Sequence, residues 1–316
     1  MCAHRIDTHH HIYPPYYLKK QDERIRATTH VLFAKVQAWS PQQAIETMDA
    51  NGIAASVVSM SSPGVWFGND LAARDLSRAC NEYAAGMVSD HPGRFGSFAV
   101  LPLPDVEGSL REIEYACDVL KADGIALMTN FNDKYPGDEA FAPVLEELNR
   151  RKAVVYFHPT AASFVEGAIP GVPGPTIEFP FDTTRAITSL VINGALTRFP
   201  DIRFIFSHGG GVLPMVAGRM AGLVRNRKDL SALFPNGVAQ EFKKLCVDVV
   251  GVYDRSCYDA VRNLMGTSQL LFGSDFPFWA PETAVDGVAG LGLDDAEKSR
   301  VERDNALHLF PRFGPA

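Results

Sequence analysis

Alternation between apolar runs and helical segments is the feature that most restricts the fold of this chain. Runs of strand length occur eight times, and a segment with helical character follows each of them. The runs are RIDTHHH, AASVVSMS, RFGSFAVLPL, GIALMTN, AVVYFHP, IRFIFSHG, LCVDVVG and QLLFGSDFP. Strands that alternate with helices form parallel βα units, and eight such units are the number in a (β/α)8 barrel. We therefore predict an α/β fold of the TIM-barrel type.

Chain length and connections predict one domain with an elaborated mouth. The 316 residues fit a single barrel, so we predict one domain over residues 1–316. Active-site loops are predicted at about residues 13–40, 61–70 and 160–180. Ser40-Pro41 predicts a helix start by side-chain capping, and further helices are predicted at about Leu71 to His91 and from Phe181 to Phe199.

Charge and cysteine content restrict the partners and the compartment. The net charge of −7 is spread without blocks, which favours neither nucleic acid nor an anionic membrane as a partner. The five cysteines are far apart and show no CxxC spacing, which argues against a disulfide framework or a cysteine zinc site. The first predicted strand begins close to the N-terminus, and no apolar run approaches the length of a membrane span. We expect a cytoplasmic protein that acts on a small molecule.

The first predicted strand carries two histidines at a spacing that suits metal binding. Side chains alternate across a strand, so His9 and His11 are predicted to share one face with Asp7, while His10 points away. Two imidazoles on one face can hold a metal ion. A His-x-His pair alone is weak evidence, so the prediction depends on whether later strands supply matching ligands.

Later strands end in residues of the same chemistry. His158 ends the fifth run, His208 the sixth and Asp275 the eighth. Active sites of TIM barrels lie at the C-terminal ends of the strands, so these side chains and the first-strand histidines are predicted to converge. Imidazole nitrogens and a carboxylate suit zinc or another divalent transition ion. Any one of them alone could be a loop anchor, but their common position at strand ends favours a metal site.

Taken together, these motifs resemble those of the amidohydrolase superfamily. The resemblance rests on DxHxH in the first strand, a His after the fifth, His-Gly-Gly-Gly after the sixth and GSDFPF after the eighth. It covers nearly the whole chain. The chain is most similar to the decarboxylase branch, which includes aminocarboxymuconate-semialdehyde, 6-methylsalicylate and γ-resorcylate decarboxylases.

The resemblance implies roles for particular residues. His9, His11, His158 and Asp275 would bind one metal ion, and His208 would act beside it as acid or base, with Asp275 as the other candidate for proton delivery. The HxH form is similar to that of zinc-dependent members, so Zn²⁺ is expected and Mn²⁺ is the alternative. GIALMTN has no Lys at its end, so a carboxylated lysine bridging two metals is not expected.

Substrate contacts are predicted partly from the resemblance and partly from the residues. Arg219, eleven residues after His208, matches an Arg that crosses a dimer interface to the substrate carboxylate, although it could instead be a solvated helix residue. Phe278 matches a position that packs against substrate. Trp66 is predicted to line the mouth or to pack beneath a loop.

We therefore expect a metal-dependent, non-oxidative decarboxylase of a small aromatic or ring-cleavage carboxylic acid, forming a homodimer or a higher homo-oligomer. The alternative is a metal-dependent hydrolase or hydratase that acts on a similar carboxylate, because a fold does not determine a reaction.

Overall fold

A closed ring of parallel strands forms the centre of the molecule in the computed structural model, which describes residues 4–29, 32–165 and 167–314. In that part of the chain, eight strands follow one another in sequence order. They are β1 (Arg5–His11), β2 (Ile53–Ser59), β3 (Phe95–Val100), β4 (Gly124–Met128), β5 (Val154–His158), β6 (Arg203–Phe206), β7 (Cys246–Asp248) and β8 (Leu270–Leu271). The predicted (β/α)8 barrel is confirmed.

Backbone hydrogen bonds join the last strand to the first. The amide of Thr8 donates to the carbonyl of Phe272 at 3.0 Å, and the amide of His11 donates to the carbonyl of Phe276 at 2.8 Å. These bonds continue the ladder beyond the short strand β8. They also bring the segment after β8, which contains Asp275, next to the histidines of β1.

Helices cover the outside of the barrel. They are α1 (Pro15–Thr29), α2 (Phe33–Gln37), α3 (Pro41–Ala50), α4 (Asp70–Asp90), α5 (Val106–Asp118), α6 (Ala142–Arg150), α7 (Gly174–Ile192), α8 (Ala195–Arg198), α9 (Leu213–Asn226), α10 (Lys228–Leu233), α11 (Val238–Phe242), α12 (Arg255–Met265), α13 (Pro281–Gly290), α14 (Asp295–Ser299) and α15 (Asn305–Leu309). A π-helical turn, Arg300–Asp304, joins the last two. No helix of the described residues combines the length and the apolar character that crossing a bilayer requires.

Two predicted loops contain more helix than their composition indicated. The first, at 13–40, is not a continuous loop, because it holds α1 and α2. The third ends at residue 173, because α7 begins at Gly174 rather than at Phe181 and continues through Pro180. Pro180 lies inside α7, where it supplies no amide for a helical hydrogen bond, and the helix nevertheless continues through it. The loop at 61–70 ends, as predicted, where α4 begins at Asp70.

The capping signal before α3 is confirmed in its geometry. The Ser40 side chain accepts a hydrogen bond from the Gln43 amide at 3.1 Å, and Pro41 occupies the first helical turn. Capping satisfies an amide that the helix itself cannot pair. The connection between β1 and α3 therefore ends at Ser40.

The inside of the barrel is apolar at its N-terminal end and polar at its C-terminal end. Side chains from most strands fill the N-terminal end of the barrel, among them Ile6, Val57, Phe98, Ala126, Tyr156, Ile205 and Leu271. The rings of Phe98 and Tyr156 stack with their centroids 5.2 Å apart. This packing fills the N-terminal end of the barrel.

A buried ion pair ties β1 to the C-terminal helices. Arg5 donates from Nε to Glu302 Oε1 at 3.0 Å and from Nη1 to the carbonyl of Asn51 at 2.9 Å. The two charged side chains are only 7% and 2% exposed. Removal of one partner leaves an uncompensated buried charge, which is costly even where the intact pair contributes little.

We predict that Glu302→Ala lowers the free energy of unfolding by about 3 kcal/mol, since Arg5 loses its buried counter-charge. Chemical denaturation followed by circular dichroism measures the change. The control is Glu107→Ala, which removes an exposed pair with Arg111 one helical turn away. That exposed variant should change stability far less. Equal losses in the two variants would contradict the role of burial.

Candidate metal centre

Four potential metal ligands converge at the C-terminal mouth of the barrel. One ligand atom from each of His9, His11, His158 and Asp275 lies within 4.8 Å of the others, and all four residues are buried. β1 supplies the first two, the end of β5 supplies His158, and the segment after β8 supplies Asp275. The structure therefore brings together the residues that were predicted from strand ends. We call these four residues the ligand cluster.

Distances within the ligand cluster suit a small cation. His9 Nε2 and His11 Nε2 are 3.0 Å apart, and each lies 3.2 Å from Asp275 Oδ1. Ligand atoms about 2.0–2.1 Å from a four-coordinate zinc ion are separated by about 3.3 Å. Asp275 Oδ1 is buried and accepts no well-formed hydrogen bond from the described residues. A buried carboxylate oxygen without a donor is costly, and a bound cation would remove that cost.

Hydrogen bonds behind the first two ligands orient their rings. His9 Nδ1 is 2.9 Å from Asp248 Oδ2. His11 Nδ1 is 3.2 Å from Ser59 Oγ and 3.4 Å from the Ser59 carbonyl. A proton on each Nδ1 satisfies these acceptors and leaves the Nε2 lone pairs directed into the ligand cluster. The residues present therefore fit one divalent ion.

Burial and charge shift the pKa values of the ligand cluster in different directions. Burial lowers the pKa of His11 to about 4 and that of His158 well below its ordinary value, so both imidazoles are neutral near pH 7. Burial also opposes a charge on His9, but Asp248 and Asp275 outweigh it and raise its pKa to about 10. Burial disfavours a charge on Asp275, yet His9, His11 and His208 hold its pKa well below the ordinary value.

Asp248 was not selected from the sequence, although it holds two parts of the site together. Its Oδ2 pairs with His9, and its Oδ1 accepts hydrogen bonds from the His208 amide at 2.9 Å and the Val250 amide at 3.1 Å. It is fully buried. Its signal in the sequence is a lone carboxylate inside the apolar run CVDVV, a place where an acid without partners would be destabilising.

His208 lies beside the ligand cluster, and its side chain is more exposed to solvent than those of the cluster. Its Nε2 is 3.6 Å from Asp275 Oδ2, and its side chain is 19% exposed, whereas those of His9 and His11 are fully buried. The backbone of His208 has φ +55°, in the left-handed region, which starts the turn that Gly209–Gly211 completes. A Cβ at Gly211 would lie 2.0 Å from the Pro180 carbonyl, so this close approach requires glycine.

The predicted arrangement of β1 is wrong at Asp7. A register irregularity between Asp7 and His10 interrupts the alternation. Ile6 therefore packs in the barrel interior, and His9 also faces the interior, where its ring is 5.5 Å from that of Tyr156. Asp7 instead pairs with His10 Nδ1 at 3.1 Å and accepts from Ser274 Oγ at 2.6 Å. A bulge of this kind changes which side chains share a face.

The predicted substrate contacts are placed differently from one another. Phe278 is half-buried beside the ligand cluster, with its ring 5.6 Å from that of His11. Trp66 donates from Nε1 to Asp70 at 2.7 Å and lines a cavity of about 260 Å³ at the ends of β2 to β5, which we call the mouth cavity. Arg219 is exposed on α9 and is not brought to the ligand cluster within this chain.

Comparisons with known proteins agree with this geometry. A family model described as Amidohydrolase matches residues 6–312. The chain is 35% identical to decarboxylase yanB of Aspergillus niger over 98% of this chain and 88% of that protein. It is 31% identical to 6-methylsalicylic acid decarboxylase of Penicillium expansum, over 98% of this chain and 97% of that protein.

A solved structure shares the same fold. The crystal structure of a dihydroxybenzoic acid decarboxylase from Polaromonas, with bound manganese and the inhibitor 2-nitroresorcinol, superposes with a TM-score of 0.87 at 20% identity. The superposition covers 98% of this chain and 97% of that one. The match to the family model and the similarity to these two decarboxylases show that the chain belongs to the amidohydrolase family, in its branch of carboxy-lyases.

Proposed function

We propose that this carboxy-lyase removes CO₂ without oxidation from a small aromatic, hydroxybenzoate-like or ring-cleavage carboxylic acid, and that it depends on one divalent metal ion. The proposal rests on the position of His208. This side chain is partly exposed, and its Nε2 lies 3.6 Å from Oδ2 of Asp275, a buried member of the ligand cluster. Similarity to 6-methylsalicylic acid decarboxylase supports an aromatic acid as the substrate class.

The donor set supports zinc as the ion, with manganese as the alternative. Three imidazoles and one carboxylate are nitrogen and oxygen donors that suit zinc in a site with an open position. The Polaromonas neighbour contains manganese, so a nitrogen and oxygen site of this fold is compatible with that ion as well. When bound, a divalent ion can polarise a carboxylate and an adjacent hydroxyl and hold them in one orientation.

The chain's own residues would then place and move the proton. His208, the partly exposed neighbour of Asp275, would donate a proton to the ring carbon that bears the carboxylate. The bond to the carboxylate carbon then breaks, its electron pair restores the conjugated ring, and CO₂ leaves. Phe278 next to His11 supplies an apolar surface for a planar ring. Asp275 remains the second candidate for proton delivery.

The exposed surface of α9 around Arg219 supports the proposal of a homo-oligomer. It lies on the outer side of α9 in the same helical row as Met215 and Leu223, which are 79% and 44% exposed. Apolar side chains in such a row are typical of a surface that pairs with another chain. We propose that Arg219 reaches the substrate carboxylate of a partner subunit. We also propose a cytoplasmic location.

Carbon dioxide release from a panel of hydroxybenzoic acids tests the proposed reaction. The protein is assayed as purified, after chelation, and after return of Zn²⁺ or Mn²⁺ in turn. Release that disappears on chelation and returns with one of the ions is the expected result. Release that survives complete metal removal would refute the metal dependence, and failure of every acid would refute the substrate class.

We predict that His208→Asn retains the metal but lowers the rate of CO₂ release by about 10²- to 10⁴-fold, since the proton donor is lost. Asn is chosen because it tolerates the left-handed backbone conformation of His208. Metal content by elemental mass spectrometry and single-turnover rates are measured together. A variant with full metal content and an unchanged rate would remove His208 from the reaction.

We predict that Asp248→Asn weakens metal binding by about 10- to 100-fold, because His9 loses the carboxylate behind its ring. Competition with a chromogenic chelator measures the affinity. Asp123→Asn, which disrupts a carboxylate pair with Arg312 at the opposite end of the molecule, is the control. Unchanged affinity in Asp248→Asn, or an equal loss in the control, would contradict the positioning role.

We predict that Arg219→Ala raises the KM for a carboxylate substrate by about tenfold with little change in kcat, because it removes one charged contact to the substrate. Arg225→Ala removes an exposed Arg from the same helix and should leave KM unchanged. Analytical ultracentrifugation establishes the oligomeric state of each protein. An unchanged KM in Arg219→Ala would leave Arg219 as a solvated helix residue.

A further inference from the structure

Asp7 is a buried carboxylate that the proposed reaction does not use. Its side chain is fully buried, and it lies two residues before His9, outside the ligand cluster. An ionised carboxylate only accepts hydrogen bonds, so a buried one needs donors around it. The donors around Asp7 come from β1 and from the segment after β8. These two segments together supply three of the four members of the ligand cluster.

One oxygen of Asp7 joins the two segments through their backbones. Oδ1 accepts a hydrogen bond from the His9 amide at 3.1 Å and another from the Ser274 amide at 3.0 Å. His9 has no register partner in β2, because the irregularity of β1 falls there, and Ser274 lies beyond the end of β8. A buried amide outside a regular ladder needs another acceptor, and the same carboxylate oxygen serves both. Asp7 thereby links the backbone of His9 to the residue that precedes Asp275.

The other oxygen of Asp7 stabilises the turn that carries Asp275. Oδ2 accepts from the Ser274 hydroxyl at 2.6 Å and from His10 Nδ1 at 3.1 Å. The hydroxyl oxygen of Ser274 in turn accepts from the Phe276 amide at 3.2 Å. Asp275 lies between these residues with φ +58°, in the left-handed region, which a residue other than glycine adopts at a cost. Hydrogen bonds on both sides of Asp275 offset that cost.

The two segments also lie in close contact. The Asp275 amide donates to the His9 carbonyl at 2.7 Å. A Cβ at Gly273 would lie 2.8 Å from the Cβ of His9, so glycine is required where the segment after β8 lies against β1. His9 Nε2 and Asp275 Oδ1 are 3.2 Å apart. The relative position of the two backbones therefore determines whether both atoms can reach one ion.

We propose that Asp7 is a positioning residue of the metal centre, and that its carboxylate sets the distance between the β1 ligands and Asp275 by joining the His9 amide to Ser274. The inference rests on the proposed metal dependence and deepens it by giving a role to a residue outside the ligand cluster. That role differs from the role of Asp248, which orients the ring of one ligand, because Asp7 acts on the backbones of two segments.

Competition with a chromogenic chelator on the full chain measures the affinity for Zn²⁺ and for Mn²⁺ in the wild type and three variants. We expect Asp7→Ala to weaken binding of the preferred ion by about 10- to 100-fold, the usual effect of removing a group that supports metal ligands. Asp7→Asn keeps one acceptor oxygen for both amides and should lose less affinity. Ser274→Ala keeps the amide bond to Oδ1 but loses the hydroxyl, so its affinity should also lie between those of the wild type and Asp7→Ala.

A control separates loss of position from loss of stability. Glu302→Ala removes another buried carboxylate that bonds to β1, through Arg5 at the end of the strand away from the ligand cluster. It should lower the free energy of unfolding and leave the affinity for the ion unchanged. The visible absorption of the Co²⁺-substituted protein, which reports coordination geometry, is the second readout. We expect this spectrum to change in Asp7→Ala and to stay the same in Glu302→Ala.

The inference is overturned if Asp7→Ala binds the ion as tightly as the wild type, or if Glu302→Ala loses as much affinity. If Asp7→Ala cannot be recovered folded, Asp7→Asn and Ser274→Ala decide, and unchanged affinity in both overturns the inference. The proposed function fails separately. A wild-type protein that binds neither ion would refute the metal dependence together with this inference. The expected order of affinities without CO₂ release from any acid would refute the decarboxylase and leave the role of Asp7 in place.

Discussion

The close approach of two imidazole nitrogens to one carboxylate oxygen is the interaction on which the rest of the site depends. His9 Nε2 and His11 Nε2 each lie 3.2 Å from Asp275 Oδ1, which has no hydrogen-bond donor of its own in the described residues. Three atoms with lone pairs at such distances, away from water, repel one another unless a cation or a proton lies between them. The fold thus maintains an arrangement that a bound cation would stabilise.

The fold maintains this arrangement through partners behind the ligands. Asp248 accepts hydrogen bonds from both the His9 ring and the His208 backbone amide, so one carboxylate connects a proposed metal ligand to the residue proposed to carry the proton. On the other side of the mouth, Asp182 fixes Asn130 in the same manner. Two buried acids therefore determine the orientation of side chains at the mouth of the barrel. Rigid support of this kind limits the cost of reorganisation during the reaction.

Prediction from sequence succeeds where one residue's position follows from the strand order. His158, His208 and Asp275 were identified because parallel strands of a barrel end on the same side, and the structure brings all three together. The same reasoning fails at Asp7, since a local irregularity of β1 interrupts the alternation of its side chains between the two faces. No pattern in the sequence predicts this irregularity.

Residues whose importance comes from side-chain contacts were harder to identify. Asp248 and Asp182 are far in sequence from their partners, and neither follows from periodicity or spacing. The helix α1 was missed because its polar, aromatic-dotted sequence has a weak apolar periodicity, and its Tyr17 is anchored by a hydrogen bond to the Gly64 carbonyl in the neighbouring loop. Tertiary contacts thus override local preference where the mouth of the barrel is built.

In the proposed reaction a proton replaces the carboxylate, and no solvent oxygen enters the ring product. Mass spectrometry of the product formed by the metal-replete protein in D₂O, and separately in H₂¹⁸O, tests it most directly. We expect one non-exchangeable deuterium on the carbon that carried the carboxylate, and no ¹⁸O in the aromatic product. Incorporation of ¹⁸O into that product, or release of CO₂ with no deuterium on that carbon, would contradict it.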